Sequence, residues 1–176
     1  MTVMIRTAAP DEAEDVLRFY YDLIDAMKDS EYPLRWKKGM YPVLSDMSSA
    51  AEAGTLHVAV DDGRTVGAFV LNNEQNPSYD NVPWTFLAPR EKIVALHLLA
   101  VDPSIQGHGL GRTLLSEAVR IAREDGNEVM RLDTLTWNLP AQKLYEGFGF
   151  HCCGDVELDY ATTGVIPFRM YEYRLV

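Results

Sequence analysis

Apolar residues recur every three to four positions at Val16, Phe19, Tyr20, Leu23, Ile24 and Met27, a spacing that predicts one amphipathic helix. Pro10, Asp11 and Glu12 open it and Lys28 lies near its end, the polarity that the helix dipole favours. A second helix is predicted over Pro42–Ala53, stopped by Gly54. Between the two, the irregular stretch Glu31–Tyr41 carries the large side chains Tyr32, Leu34, Trp36 and Tyr41. Such a stretch reads either as a lid or pocket wall or as plain packing. Val3–Arg6 alternates as a short strand. Thr55–Asp61 and Thr65–Leu71 are β-rich runs around Asp62-Gly63-Arg64, a strong hairpin signal.

Asn72–Arg90 is polar and proline-containing, with Tyr79, Trp84 and Phe86 embedded, and is expected to be a long functional or mobile loop. Glu91–Val101 follows as one long apolar strand whose lack of alternation predicts burial on both faces at the centre of a sheet. A glycine-rich turn leads to a helix from Leu110 to Glu124, with Leu114, Leu115, Ala118, Val119 and Ala122 on its inner stripe and Gly126 beyond its end. Glu128–Leu135 reads as a strand, Leu139–Glu146 as a short helix, and Phe148–Leu158 and Pro167–Val176 as closing strands. No repeat or linker divides residues 1–176, so a single mixed α/β domain is expected.

The chain has 176 residues, 47% of them hydrophobic and 24% charged, a composition that excludes disorder and coiled coil. No apolar run approaches the roughly 18 residues that span a bilayer, and the N-terminus has no export signal, so a cytoplasmic chain with no membrane contact is expected. Its net charge of −10 repels polyanions, which argues against nucleic acid as a partner and favours cationic ones such as amines. The adjacent Cys152 and Cys153 read as reduced thiols.

The candidate chemistry begins at Ile105-Gln106-Gly107-His108-Gly109-Leu110-Gly111, where three alternate glycines let the main chain approach a ligand while its N–H groups line a turn capped by a helix N-terminus. Arg112 lies in the first helical turn, where a cation is unfavourable unless an anion sits nearby. A tight turn with no ligand is the competing reading. The register of a Walker loop fails because no lysine follows Gly111, and a dinucleotide fingerprint fails because Arg112 stands where the third glycine belongs. Asp133 would otherwise pass for a ribose-binding acid.

Val101-Asp102-Pro103-x-x-Gln106-Gly107-x-Gly109-x-Gly111, followed by Asn138-x-x-Ala141-x-x-x-Tyr145-x-x-x-Gly149-Phe150, resembles the signature of the GNAT superfamily of acyl-CoA-dependent N-acyltransferases. The likeness is specific from about Ile93 to Phe150. It implies a central, splayed, mostly antiparallel sheet of six or seven strands flanked by about four helices, with acetyl-CoA as cosubstrate. It further implies that the pyrophosphate sits on Gln106, Gly107, His108, Gly109, Leu110, Gly111 and Arg112, and that the pantetheine arm runs along Leu99, Ala100 and Val101. Asn138 would satisfy polar groups of that arm, with helix capping as its other reading, and Ala141 would leave room for it. Tyr145 would assist the departing thiolate, against a plain core role below Phe148-Gly149-Phe150. The N–H groups near Leu99 and Ala100 would polarise the thioester carbonyl.

His97 is the imidazole of the central strand and the first candidate for the base, on the same face as Val101 unless a bulge intervenes. Glu172, Glu91 and a water chain are its rivals, and a hydrogen-bonded core histidine is the plain reading. Trp36, Tyr41, Tyr79 and Trp84 would build an apolar or cation–π wall for an alkylamine, or would simply pack the loops. His57 and His151 have no convergent ligand spacing and no Ser-His-Asp arrangement is apparent, so neither a metal nor covalent catalysis is expected. The predicted reaction is direct acetyl transfer to a primary amine of a small molecule or peptide. A non-catalytic acyl-CoA sensor and an interaction module are the competing classes. Oligomeric state, a homodimer included, is left open.

Overall fold

A computed structural model describes residues 2–176. In chain order the elements are β1 (Met4–Thr7), α1 (Ala13–Ala26), α2 (Leu44–Glu52), β2 (Leu56–Asp61), β3 (Arg64–Asn72), β4 (Ile93–Val101), α3 (Leu110–Glu124), β5 (Val129–Leu135), α4 (Leu139–Phe148), β6 (His151–Tyr160) and β7 (Gly164–Arg174). The strands form one seven-stranded sheet in the order β1-β2-β3-β4-β5-β7-β6. β4 and β5 run parallel, pairing Ile93–Ala95 with Val129–Arg131, while β1 with β2, β2 with β3, β5 with β7 and β6 with β7 are antiparallel. This is the expected mixed α/β class with four helices. Two compact units divide the chain: Met1–Leu71 with His97–Glu117, and Asn72–Leu96 with Ala118–Val176.

In the first unit the predicted stripe of α1 is the buried one: Val16, Phe19, Tyr20 and Leu23 pack with Met47 and Ala51 of α2 and with Leu56, Val58, Ala68 and Val70 of the hairpin. The hairpin turns at Asp62-Gly63, as its sequence predicts. Gly67 of β3 is required by close approach, since a Cβ there would lie 2.8 Å from the Leu114 side chain of α3 and 3.1 Å from the Ala100 carbonyl. The chain enters α1 through a turn in which both nitrogens of the Arg6 fork donate to Glu12, at 2.7 and 2.6 Å, and the Ala9 N–H donates to the same carboxylate at 2.7 Å.

The Arg6 hydrogen bonds hold the Glu12 carboxyl down at about 2. A carboxylate whose pKa is lowered by folding contributes stability above its unfolded pKa, near 4, and loses it as pH falls through the folded value. Glu12→Gln is therefore expected to cost about 1 kcal/mol at neutral pH, discounted for a partly exposed pair. That difference from wild type should shrink between pH 4 and pH 2. Urea melts of both proteins at several pH values check it, and a pH-independent difference would contradict it.

In the second unit Leu135, Leu158, Phe168 and Met170 pack with Tyr79 and Val82 from the stretch before β4. That stretch is not loose. The Tyr79 hydroxyl donates to Asp133 at 2.6 Å, the Trp84 indole donates to the Tyr79 carbonyl at 2.8 Å, and the Thr85 and Phe86 N–H groups donate to Glu172 at 2.7 and 3.1 Å. Its role as a mobile loop is thereby corrected: buried polar anchors fasten it. A second correction concerns β4, which is buried on both faces only over Ile93–Leu96; from His97 onward half-buried and buried positions alternate.

Candidate active site

The glycine-rich turn follows β4 through a short 3-10 turn at Pro103–Ile105, held by Asp102, whose carboxylate accepts from the Ser104 N–H at 2.8 Å and hydroxyl at 2.7 Å and pairs with Arg64. Gln106 to Gly109 are exposed, and the chain re-enters the core at Leu110, the first residue of α3. Gly107 and Gly109 have φ of +85° and +83°, and a Cβ at either would meet no atom within 4 Å. The glycines are thus demanded by backbone conformation, and the space above them is open. His108 bends back, its Nδ1 lying 3.1 Å from the Ile105 carbonyl. Arg112 is exposed on the first turn, where the leading N–H groups of a helix have no partner within it.

In β4, Leu98 adopts φ +54°, a left-handed conformation that costs a non-glycine residue about 1–2 kcal/mol. The buried Tyr20 hydroxyl of α1 donates to the Leu98 carbonyl at 2.6 Å and holds it there. This irregularity lies between His97 and Val101, where the shared face of those two residues depended on a regular strand. Exposure still alternates through it: His97, Leu99 and Val101 are half-buried, while Leu98 and Ala100 are buried. Trp36 meets Tyr20 edge-on at 5.6 Å and, with Tyr41, packs on the same apolar cluster.

In the second unit, Asn138 caps α4, its side-chain oxygen accepting from the Ala141 N–H at 3.3 Å. Ala141 is half-buried. Gly149, at φ +114°, closes the helix, and the Phe150 N–H donates to the Tyr145 carbonyl at 3.0 Å. These caps fix the turn that carries Tyr145. Its ring is buried between Phe150 and Tyr171, at centroid distances of 5.8 and 5.6 Å. Burial, with Asp133 adding to it, raises the phenol well above its ordinary value.

Four tyrosines are buried: Tyr20, Tyr79, Tyr145 and Tyr171. The hydroxyls of Tyr20, Tyr79 and Tyr171 donate to the Leu98 carbonyl, Asp133 and Glu146. The Tyr145 hydroxyl has no hydrogen-bond partner among the described residues, yet it is not one of the enclosed, unsatisfied polar atoms. A buried tyrosine ordinarily finds a partner. The ring is packed, and its hydroxyl differs from the other three in having no partner among the described residues.

Trp84 packs in the second core, with the Arg131 guanidinium 4.3 Å over its ring. Glu172 is fully buried, and both of its oxygens accept main-chain N–H groups. His151 and Glu172 are cross-strand partners, and the bulge at Cys152/Gly154 brings Cys153 to them, so that potential ligand atoms of His151, Cys153 and Glu172 lie within 4.8 Å of one another. The expectation that His151 has no convergent Cys or Glu is thereby corrected; spacing alone hides the cluster because it depends on β6–β7 register. Burial and the Glu172 carboxylate push the Cys153 thiol up to about 12, so it is held protonated. Arg131 was also missed, although a cation inside the apolar run Val129–Leu132 was a visible signal.

Each unit thus carries one of the two motifs: in the first, the exposed, glycine-turned start of α3 after β4; in the second, the capped α4 with Tyr145. Residues 21–150 match the acetyltransferase (GNAT) family, and the chain belongs to it. It is 26% identical over 141 residues to an uncharacterized N-acetyltransferase of Archaeoglobus fulgidus, covering 80% of this chain and 88% of that one. Over 75 residues it is 36% identical to the N-alpha-acetyltransferase RimI of Mycobacterium tuberculosis, which covers 43% of this chain and 46% of that one. The structure of yncA from Salmonella typhimurium, solved with its cofactor acetyl-CoA, aligns with a TM-score of 0.72 at 18% identity, over 100% of this chain and 95% of that one. Among the described residues no helix is long and apolar enough to cross a membrane.

Proposed function

We propose that this chain transfers the acetyl group of acetyl-CoA directly to a primary amine of a small molecule or peptide. The observation that carries the reading is the Tyr145 hydroxyl, unclaimed by the protein on an otherwise buried ring. The open backbone at Gly107 and Gly109 supports the donor half, since a diphosphate needs unobstructed main-chain N–H groups and no side chain stands over either glycine. The family membership and an acetyl-CoA-bound structural neighbour point the same way.

In this reading Gln106 to Arg112 hold the diphosphate, with His108 at its edge, and the half-buried main chain of Leu99 and Val101 takes the pantetheine arm. Asn138 is engaged as a helix cap, so its part is to fix the start of α4. Acetyl-CoA supplies an activated thioester. The neutral amine adds to the carbonyl carbon, the oxyanion is met by main-chain N–H at Leu99 and Ala100, and the C–S bond breaks as the Tyr145 hydroxyl hydrogen-bonds the thiolate. The amine proton leaves to His97, directly or through water. We assign Glu172 to anchoring residues 84–86, because both its oxygens are already engaged there. Trp36 and Tyr41 pack on the first core and Trp84 on the second.

A calorimetric titration with acetyl-CoA, followed by thiol release across an amine panel, tests the function. Saturable binding with amine-dependent thiol release is expected. Binding without release for any amine would make the chain a sensor, and no binding at all would leave an interaction module. Gly109→Val should weaken acetyl-CoA at least tenfold, because a β-branched residue does not hold φ +83°. Unchanged affinity would place the diphosphate elsewhere.

A further inference from the structure

Arg131 sits on β5, 8% exposed, with its guanidinium 4.3 Å over the Trp84 ring. Buried charges are ordinarily paired. This one is not: Nη1 donates to the Gln75 side chain at 3.2 Å, and the buried Nε has no acceptor among the described residues. Its cross-strand neighbour Glu172 is the obvious counter-ion, yet the Glu172 oxygens accept from the Thr85 and Phe86 N–H groups, and no hydrogen bond joins them to Arg131 among the described residues. Burial accordingly pulls the Arg131 pKa down, opposed by the field of Glu172. The same residue lines a pocket of about 230 Å³ with Gln75, Asp80, Ala88, Arg90 and Ile93. The pocket thus presents two guanidiniums, an amide and one carboxylate, and the buried guanidinium has Gln75 as its hydrogen-bond acceptor and no carboxylate bonded to it among the described residues.

We propose that this pocket is a binding site for the carboxylate of a small organic acid. Nε is enclosed, so the Nη edge of the planar guanidinium is the part that can give a carboxylate a two-point contact, which a single-point anion does not match. Arg90 adds positive charge, whereas Asp80 opposes it and so sets the affinity. The size of the pocket limits the ligand to a small molecule. The carboxylate belongs either to the amine acceptor itself or to a separate effector, and the assignment of the pocket does not depend on the acetyl-transfer reading.

The test titrates the whole chain calorimetrically with acetate, glutamate, methionine and phenylalanine, each compared with its carboxamide, and with chloride. At least one carboxylate should bind at a single site while its amide binds at least tenfold more weakly. Arg131→Met should weaken that carboxylate at least tenfold. Asp80→Asn, on an exposed side chain, should tighten it about threefold, an opposite sign that loss of folding cannot produce. No binding by any of these carboxylates, equal binding of amide or chloride, or binding indifferent to both substitutions would overturn the site. Adding acetyl-CoA to the bound amino acid separates the two sources: thiol release marks the acceptor, and binding without release marks an effector. If thiol release fails with every amine but carboxylate binding persists, the transferase reading falls and the pocket stands.

Discussion

Tyr145→Phe is expected to lower kcat about a hundredfold, the low end of what losing one hydrogen-bond donor to a developing anion costs, while the dissociation constant of acetyl-CoA changes less than threefold. The ring packs against Phe150 and Tyr171, contacts that phenylalanine keeps, so the melting temperature should hold. Only a hydroxyl without a protein partner is removed. The raised pKa defines how that hydroxyl works. An ordinary phenol is near 10 and an ordinary thiol near 8.5, so full proton transfer to the thiolate is already uphill by about 2 kcal/mol, and burial adds to the gap. Tyr145 is thus expected to stabilise the leaving thiolate mainly as a hydrogen-bond donor. Because a raised pKa keeps the phenol protonated up to higher pH, kcat of wild type should show no alkaline decline from this group below pH 10. Steady-state kinetics over pH 6 to 10 check both statements. Turnover unchanged in Tyr145→Phe would remove the residue from the reaction.

The elements most legible in the sequence were those whose local signals agreed. The helix after the glycine turn spans Leu110–Glu124, the bounds its sequence predicts, because a glycine turn, an apolar stripe and Gly126 all mark them. The hairpin at Asp62-Gly63 was legible for the same reason. Residues whose surroundings come from distant strands were not legible. Glu172 looked like a spare carboxylate, and only the fold brings the Thr85 and Phe86 amides to it. Asp133 looked like a ribose acid; it accepts the hydroxyls of both Tyr79 and Tyr160, each at 2.6 Å. The left-handed Leu98 was hidden for a different reason, since nothing in a leucine announces a backbone that leucine disfavours.

That hidden residue leads to the second large expectation. A trans peptide fixes the Leu98 carbonyl and the Leu99 N–H in one plane, pointing in opposite directions. The Tyr20 hydroxyl grips the carbonyl, so it also aims the N–H that the proposed function assigns to the thioester oxygen. Hydrogen-bonding a carbonyl polarises its peptide, which makes the N–H a better donor. Tyr20 is therefore a positioning residue. Tyr20→Phe leaves a buried carbonyl unsatisfied and should cost about 1–3 kcal/mol of stability. It should also lower kcat about tenfold with little change in acetyl-CoA affinity, since the oxyanion forms only during reaction. A stability defect alone would lower the active fraction without moving the Leu99 amide. The discriminating measurement is therefore the Leu99 amide nitrogen shift in folded protein, which should change on substitution along with kcat per active site. If kcat per folded molecule stays at the wild-type value, the hydroxyl serves only to hold the strand in its left-handed turn.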